Sequence, residues 1–411
     1  MSARPPRIVI SGAGAVSPFG AGVRPLLDGV DRGRGAWVRV PRAAGACARA
    51  RLAAVAPAQF EAGRFPASAW RRLDRCSRMA VLAADEAIGS AGESPVSVME
   101  AGVVLGTMTA GIAPLGEMLE TRLAQGPDAV SPMLFPFTVQ NAPASQCSIL
   151  LALRGPNLTV CQMEASGLGA VAVAAALLRQ GAADAVLAGG VDEHPALVGE
   201  AWRKLRITAP PSDPPAWRGP FDTRRRGFLP GEGAYVLFME TLERARARGA
   251  RPWAEILGAA EAHAPGPAHG WPSGADEPAR AVALALGRAG LAADDLGYIA
   301  AGANGSRRLD ELEARALRQA LGPALRRVPV SAIKGLVGES GAASAAAALT
   351  GALAIRDGFI PACVGLDEPD AALGLDYVRG AARRERVPSV LVNALGTGGS
   401  CVALVLSRLG P

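Results

Sequence analysis

The chain has 411 residues, of which 50% are hydrophobic and 19% charged, and a formal net charge of +6. That length holds two ordinary domains or one large two-lobed body and excludes a single small module. Without an unbroken apolar run of membrane length, and with only 4% aromatics, the composition predicts neither disorder, a membrane partner nor a nucleic-acid role.

Six cysteines (Cys47, Cys76, Cys147, Cys161, Cys363 and Cys401) are dispersed, with no CxxC pair and no signal peptide, which predicts a reducing cytoplasm. The positive charge gathers at Arg71-Arg72, Arg224-Arg225-Arg226, Arg244 to Arg251 and Arg383-Arg384, read as solvated surface that can steer an acidic partner. Among 43 basic residues only Lys204 and Lys334 are lysines, so a retained lysine points to a need for a compact charge.

Apolar runs alternate with small-residue or amphipathic segments. Arg7 to Ser11 is expected as a strand, Arg78 to Ser90 as a helix, Ala101 to Gly106 as a strand and Ile112 to Leu123 as a helix. Asn157 to Cys161 is expected as a buried strand, Ser166 to Gln180 as a helix of small residues, and Asp184 to Gly190 as a second buried strand. The second half repeats the theme with a strand at Val328 to Ser331, a helix at Gly341 to Ile355, and closing strands at Ser389 to Ala394 and Ser400 to Ser407. Both the Ser166 and Ser340 segments open on Ser-Gly and continue as Ala-rich helices able to bury on two sides, so an α/β five-layer sandwich of two duplicated halves, 1–250 and 251–411, is expected. The Pro-rich loop Pro210 to Gly219 and the Gly/Pro-rich stretch Ala262 to Asp276 are read as excursions from one body, not linkers.

Several features read as structural. Gly12-x-Gly14 lacks the third glycine and the downstream acid of a dinucleotide fingerprint. His194, His263 and His269 lack metal spacing, so no metal is expected and they are read as surface or loop residues; Cys161, closing a strand, is read as packing.

Four segments together are more specific: "GPFDTRRRGFLPGEGAYVLFME" from Gly219, "GPNLTVCQMEASGLGA", "SAIKGLVGESGAA" and "NALGTGGS". Their order resembles the β-ketoacyl-carrier-protein synthases of thiolase fold, nearly end to end, and that resemblance implies a thiolase-like αβαβα sandwich. The family elbow, T-V-D-T-A-C-S-S, corresponds here to Thr159-Val160-Cys161-Gln162-Met163-Glu164-Ala165-Ser166, so Glu164 stands at the nucleophile position. The family's A-H-G-T is matched by Ala303-Asn304-Gly305-Ser306, which puts Asn304 at the first histidine; an ungapped register would put Gly302 there. Glu339 follows Lys334-Gly335-Leu336-Val337-Gly338, where the second histidine belongs.

Condensation needs a thiolate to accept the acyl group and N–H donors to polarise the malonyl thioester carbonyl. With Glu164, Asn304 and Glu339 in those places, the chain is not expected to elongate an acyl chain alone, and no catalytic residue is assigned. The resemblance further implies an ion pair between Lys334 and Glu313, with Glu339 or Glu164 as further partners of the lysine. It also places Ile112, Leu115, Leu119 and Met133 along a tunnel shared with a partner, and Thr397 at the gate of the Gly396-Thr397-Gly398-Gly399 loop.

Such a chain resembles the chain-length factor, the β subunit of type II polyketide synthases, in which a Gln commonly replaces the nucleophile; Glu164 departs from that. The implied partners are a catalytic ketosynthase α subunit and an acyl carrier protein. No cofactor of the chain's own is implied, since the phosphopantetheine arm arrives on the carrier. Two rivals stand beside this reading: a stand-alone decarboxylase or thioester hydrolase using Glu164 and Glu339, and a non-enzymatic acyl-binding homodimer.

Overall fold

The computed structural model describes residues 5–40, 51–94, 96–210, 217–267 and 269–410, so Cys47 and most of the Pro210 to Gly219 loop lie outside the described residues. In the first half, β1 (Ile8–Ser17), β2 (Gly102–Gly106), β3 (Asn157–Val160), β4 (Ala185–Asp192) and β5 (Gly233–Thr241) lie in the spatial order β3-β2-β4-β5-β1. In the second half, β6 (Ala254–His263), β7 (Tyr298–Ala300), β8 (Pro329–Ser331), β9 (Ser389–Leu395) and β10 (Ser400–Ser407) take the order β8-β7-β9-β10-β6. The second order is the first with every strand advanced by five.

Strand directions repeat as well. β2 runs parallel to β3 and β4, while β4–β5 and β5–β1 are antiparallel. Likewise β7 runs parallel to β8 and β9, while β9–β10 and β10–β6 are antiparallel. The halves join where Ile8, Val9 and Ile10 of β1 pair with Ile256, Glu255 and Ala254 of β6, so hydrogen bonding crosses from one half to the other without a break.

Seven helices complete the layers used below: α1 (Arg75–Ser90), α2 (Ile112–Gln125), α3 (Ala142–Leu151), α4 (Ser166–Arg179), α5 (Asp276–Ala289), α6 (Arg307–Leu321) and α7 (Ala343–Asp357). Successive strand residues point to opposite faces, and the cores follow that alternation. Val103 and Leu105 join α1 and α3 in an outer core, whereas Val104 between them joins α4 and α7 in the central one. Val390 and Val392 face the centre, and Leu391 faces α5 and α6. The stacking is therefore helix, sheet, helix, sheet, helix, with α4 and α7 in the middle.

A helix buried on every side has no room for a polar face, and α7 is buried from Ala343 through Ile355. Its meeting with α4 is tight at the helix starts. A Cβ on Gly167 would lie 2.8 Å from Ala345 Cβ and 2.9 Å from Gly341 O; one on Gly190 of β4 would lie 2.8 Å from Ala342 Cα.

The expected strands and helices are present, shifted at their ends, and β1 runs on to Ser17. One expectation is corrected: β3 is not buried. It is the edge strand of its half, with Leu158 41% exposed, because among the described residues it pairs only with β2. An apolar run of that length reads the same in a sheet interior and at a free edge.

Overpacking a tight crossing costs about 1–3 kcal/mol. Gly167→Ala is therefore expected to lower the urea unfolding midpoint clearly, whereas Gly116→Ala on α2, where an added Cβ meets nothing, is expected to leave it within error.

Candidate functional site

The site lies beyond the C-terminal ends of parallel strands β3, β7, β8 and β9, where layered α/β folds expose their chain turns. Glu164 follows β3 on a sharp elbow in which Met163 holds φ of 53°, a left-handed conformation rare for a side chain of this kind. Ser166 fixes the turn: its hydroxyl accepts from Gln162 N at 2.8 Å and donates to Met163 O at 2.6 Å. The second half secures the start of α4, where Gly167 N donates to Gly341 O at 3.0 Å and Leu168 N to Ser344 Oγ at 3.0 Å.

Thr397, in the turn between β9 and β10, closes over the elbow. Its backbone N–H donates to Glu164 Oε2 at 2.7 Å, and its hydroxyl donates to the same oxygen at 3.0 Å. Glu164 is 4% exposed. Burial raises its carboxyl above the ordinary range, against the opposing pull of the Thr397 hydrogen bonds and the Lys334 charge.

The other candidates meet in one network. Glu339 Oε2 accepts from Asn304 Nδ2 at 2.6 Å and from Lys334 Nζ at 2.9 Å, and the lysine also donates to Gly302 O at 2.8 Å. Asn304 is oriented by Ser306 N, which donates to its Oδ1 at 2.8 Å. Asp310 takes the backbone N–H groups of Asn304 and Gly305 and pairs with the fully buried Arg225, whose Nε lies 3.2 Å from Asp310 Oδ2. Asn304 thus reaches the network by its side chain and Gly302 by its backbone.

The expected Lys334–Glu313 pair is corrected. The direct partner of Lys334 is Glu339, one of the further partners expected for it. Glu313 Oε1 instead accepts from Gly302 N at 2.8 Å and Asn393 Nδ2 at 2.6 Å, and feels the lysine only as a longer-range charge. The physical reason is reach: with an acid in place of the second histidine, the ammonium finds a nearer carboxylate five residues along its own chain.

Four acids, Glu164, Asp310, Glu313 and Glu339, are buried with two cations, Lys334 and Arg225. Burial pushes Glu313 and Glu339 up to about 7 and Asp310 to about 6, with Lys334 opposing the first two. Such a set resolves its charge by holding protons.

A cavity of about 380 Å³ reaches Glu164 and Thr397. Its wall includes Arg206, Arg226, Arg307, Arg308, His269 and Trp271. Sequence reasoning missed this wall: the Arg224–Arg226 run was noted only as surface charge, and the other arginines come from distant segments that no spacing rule connects. None of Ile112, Leu115, Leu119 and Met133 lines this cavity. Leu115, Leu119 and Met133 are instead 43%, 45% and 63% exposed, so within the chain alone they form a surface and not a tunnel.

One further expectation changes. Cys161 is exposed, its thiol donating to Gln140 Oε1 at 3.1 Å, because the strand it follows is an edge. His194 lies in a loop, as expected, between β4 and the helix Ala196–Leu205, half-buried and stacked on Trp202 with ring centroids 5.9 Å apart. Among the described residues no group of His, Cys, Asp and Glu could hold a metal ion, and no helix is long and apolar enough to cross a membrane.

Residues 6–245 match the family model of the β-ketoacyl synthase N-terminal domain and 253–367 that of its C-terminal domain. The chain belongs to the β-ketoacyl synthase family, and its fold is that of the thiolase-like ketosynthases. It is 33% identical to the 3-oxoacyl-[acyl-carrier-protein] synthase 2 of Rhizobium meliloti, covering 98% of this chain and 99% of the relative. It is 34% identical to the tetracenomycin polyketide synthase ketoacyl synthase alpha subunit of Streptomyces glaucescens, covering 98% and 97%. Among solved structures, the ishigamide ketosynthase/chain length factor superposes with a TM-score of 0.89 at 30% identity, covering 99% of this chain and 100% of that one. A type II acyl-carrier protein–ketosynthase complex, AntDE:AntF, superposes with a TM-score of 0.88 at 22% identity, covering 99% of this chain and 100% of that one, a likeness of fold alone.

Removing one partner of a buried pair typically costs about 3–5 kcal/mol. Lys334→Met is expected to lose stability on that scale at pH 8 and less at pH 5.5, where Glu339 carries a proton, as read by urea unfolding at the two pH values. In the wild type, Glu339 binds its proton more tightly folded than unfolded, so its contribution is full below about 4.5 and is lost as pH rises through about 7. Glu339→Gln is expected to flatten the fall in unfolding midpoint between pH 5 and pH 7.5; an unchanged slope would contradict this.

Proposed function

We propose that this chain is a non-catalytic, chain-length-factor-like subunit of a type II polyketide synthase, paired with an active ketosynthase in the cytoplasm. The observation that carries the reading is the state of the three degenerate positions. Glu164 is held by Thr397, and the Asn304 amide, the one nitrogen donor among the three, directs a hydrogen onto Glu339. With neither thiol nor imidazole there, the site lacks the groups that accept an acyl chain and polarise a malonyl thioester. The relatives named as synthases support the family and the scaffold; these three residues support the loss of its chemistry.

The partner-facing side supports pairing. Among the described residues β3 leaves one edge unpaired, and Leu158 on it, Ile149 on α3 and Met133 and Phe135 nearby are 41%, 66%, 63% and 64% exposed. Apolar area of this kind is costly to leave in water and is characteristic of an interface. The solved ishigamide ketosynthase/chain length factor supports a ketosynthase as occupant. With a partner over α2, Leu115 and Leu119 would face the shared space in which product length is set, and Thr397 would not have to guard an acyl-enzyme. The relative named as a 3-oxoacyl-[acyl-carrier-protein] synthase supports an acyl carrier protein as the third component, its arm supplied from outside the subunit.

The acid–base alternative draws on Glu164 and Glu339, both raised by burial. It is weakened because one oxygen of each carboxylate already accepts two hydrogen bonds from the protein.

Co-expression with a ketosynthase α subunit is expected to give a one-to-one complex, and the chain alone is expected to form no elongated product from malonyl carrier protein. Purification alone as a stable homodimer indifferent to the α subunit would overturn the pairing. Leu158→Lys is expected to weaken complex formation by about tenfold or more, measured by analytical ultracentrifugation, with the thermal stability of the isolated chain unchanged.

A further inference from the structure

The cavity beside Thr397 has an outer and an inner wall of opposite character. The side chains of Arg206, Arg226 and Arg308 are exposed and, among the described residues, make no ion pair or hydrogen bond. Glu164 is buried, and the two donors nearest its carboxylate, the Thr397 N–H and hydroxyl, are turned onto it. A ligand entering from solvent therefore meets free guanidinium groups first and a hydrogen-bond acceptor last.

These two walls set requirements on the two ends of a ligand. The outer arginines favour an anionic group, above all a phosphate, which they bind with several N–H donors at once. At the inner end, a carbonyl oxygen finds the Thr397 donors taken and a carboxylate lone pair facing it, while a thiol or hydroxyl hydrogen finds an acceptor. In effect the carboxylate already fills the donor site that an acyl carbonyl would need.

We infer that this cavity binds a phosphorylated arm ending in a free thiol and rejects the same arm ending in an acyl thioester, with Glu164 as the residue that discriminates. The inference rests on the proposed function only in taking a carrier protein as the natural source of the arm. The raised pKa of Glu164 adds a direction: as pH falls and the carboxyl is protonated, it gains a donor and the discrimination weakens.

The test is titration calorimetry of the full chain with coenzyme A and with acetyl-coenzyme A, which carry the same phosphorylated arm with and without the acyl group. The wild type is expected to bind the free thiol at least about tenfold more tightly. Glu164→Gln keeps the size and the Thr397 contacts but presents amide hydrogens, and is expected to abolish or reverse the preference; Glu164→Ala is expected to abolish it. Replacing Arg206 and Arg308 together by Ala is expected to weaken both ligands to the same degree. Equal affinities in the wild type, a preference that survives both Glu164 variants, or no binding of either ligand would each overturn the inference. All of these readouts are independent of co-purification with an α subunit, so a failure here and a failure of the pairing are told apart. Repeating the titration with a carrier protein bearing the free or the acetylated arm assigns the source: the same preference at higher affinity supports a protein-borne arm, and a preference confined to coenzyme A supports a free cofactor.

Discussion

The closeness of α4 and α7 at their first turns governs the centre of this protein. Gly167 donates its backbone N–H to Gly341 O, Leu168 donates to the Ser344 hydroxyl, and neither glycine position leaves room for a methyl group. Each half thus completes the start of the other's central helix. Asp192 extends the arrangement, its carboxylate accepting from Met108 N and Thr109 N on one oxygen and from Ala342 N on the other. The elbow at Met163 and Glu164 sits directly on this crossing, which holds a left-handed turn that would otherwise relax.

Because the backbone is held from beneath, the residue at the elbow tip can change without moving the scaffold. The chain exploits this with an unusual charge balance. Where a thiol and two imidazoles would form a reactive set, it places two carboxylates and an amide, and it absorbs their cost with one lysine, one buried arginine and shared protons. The retained lysine among so many arginines has a physical role here: a slender ammonium fits between Glu339 and the Gly302 carbonyl, where a planar guanidinium would need more space.

Much of this was legible in the sequence. Alternating apolar segments and the two Ser-Gly starts gave the layered, duplicated plan, because helices of Ala and Gly have no other way to bury two faces. The three replaced positions were legible because they sit in motifs with fixed spacing. Exposure and partnership were not. The sequence of Asn157 to Val160 satisfies a buried strand as well as an edge strand, and only the sheet order separates the two. Lys334 is legible as an ion-pair residue with Glu313 first and Glu339 or Glu164 as further partners, but spacing says nothing about which of these acids turns toward the ammonium. Arg206, Arg226 and Arg308 converge from separate loops, a property of the folded chain with no local signature.

The pairing of Ile8 to Ile10 with Ala254 to Ile256 carries a mechanical implication. With the strands of both halves stitched into one ladder, the sheet offers, among the described residues, no hinge on which one lobe could swing against the other. Whatever docks at the β3 edge and whatever enters past the arginines are therefore tied to a common rigid frame. Communication between them has to travel as a tilt of the whole fold or as local motion of the Thr397 turn.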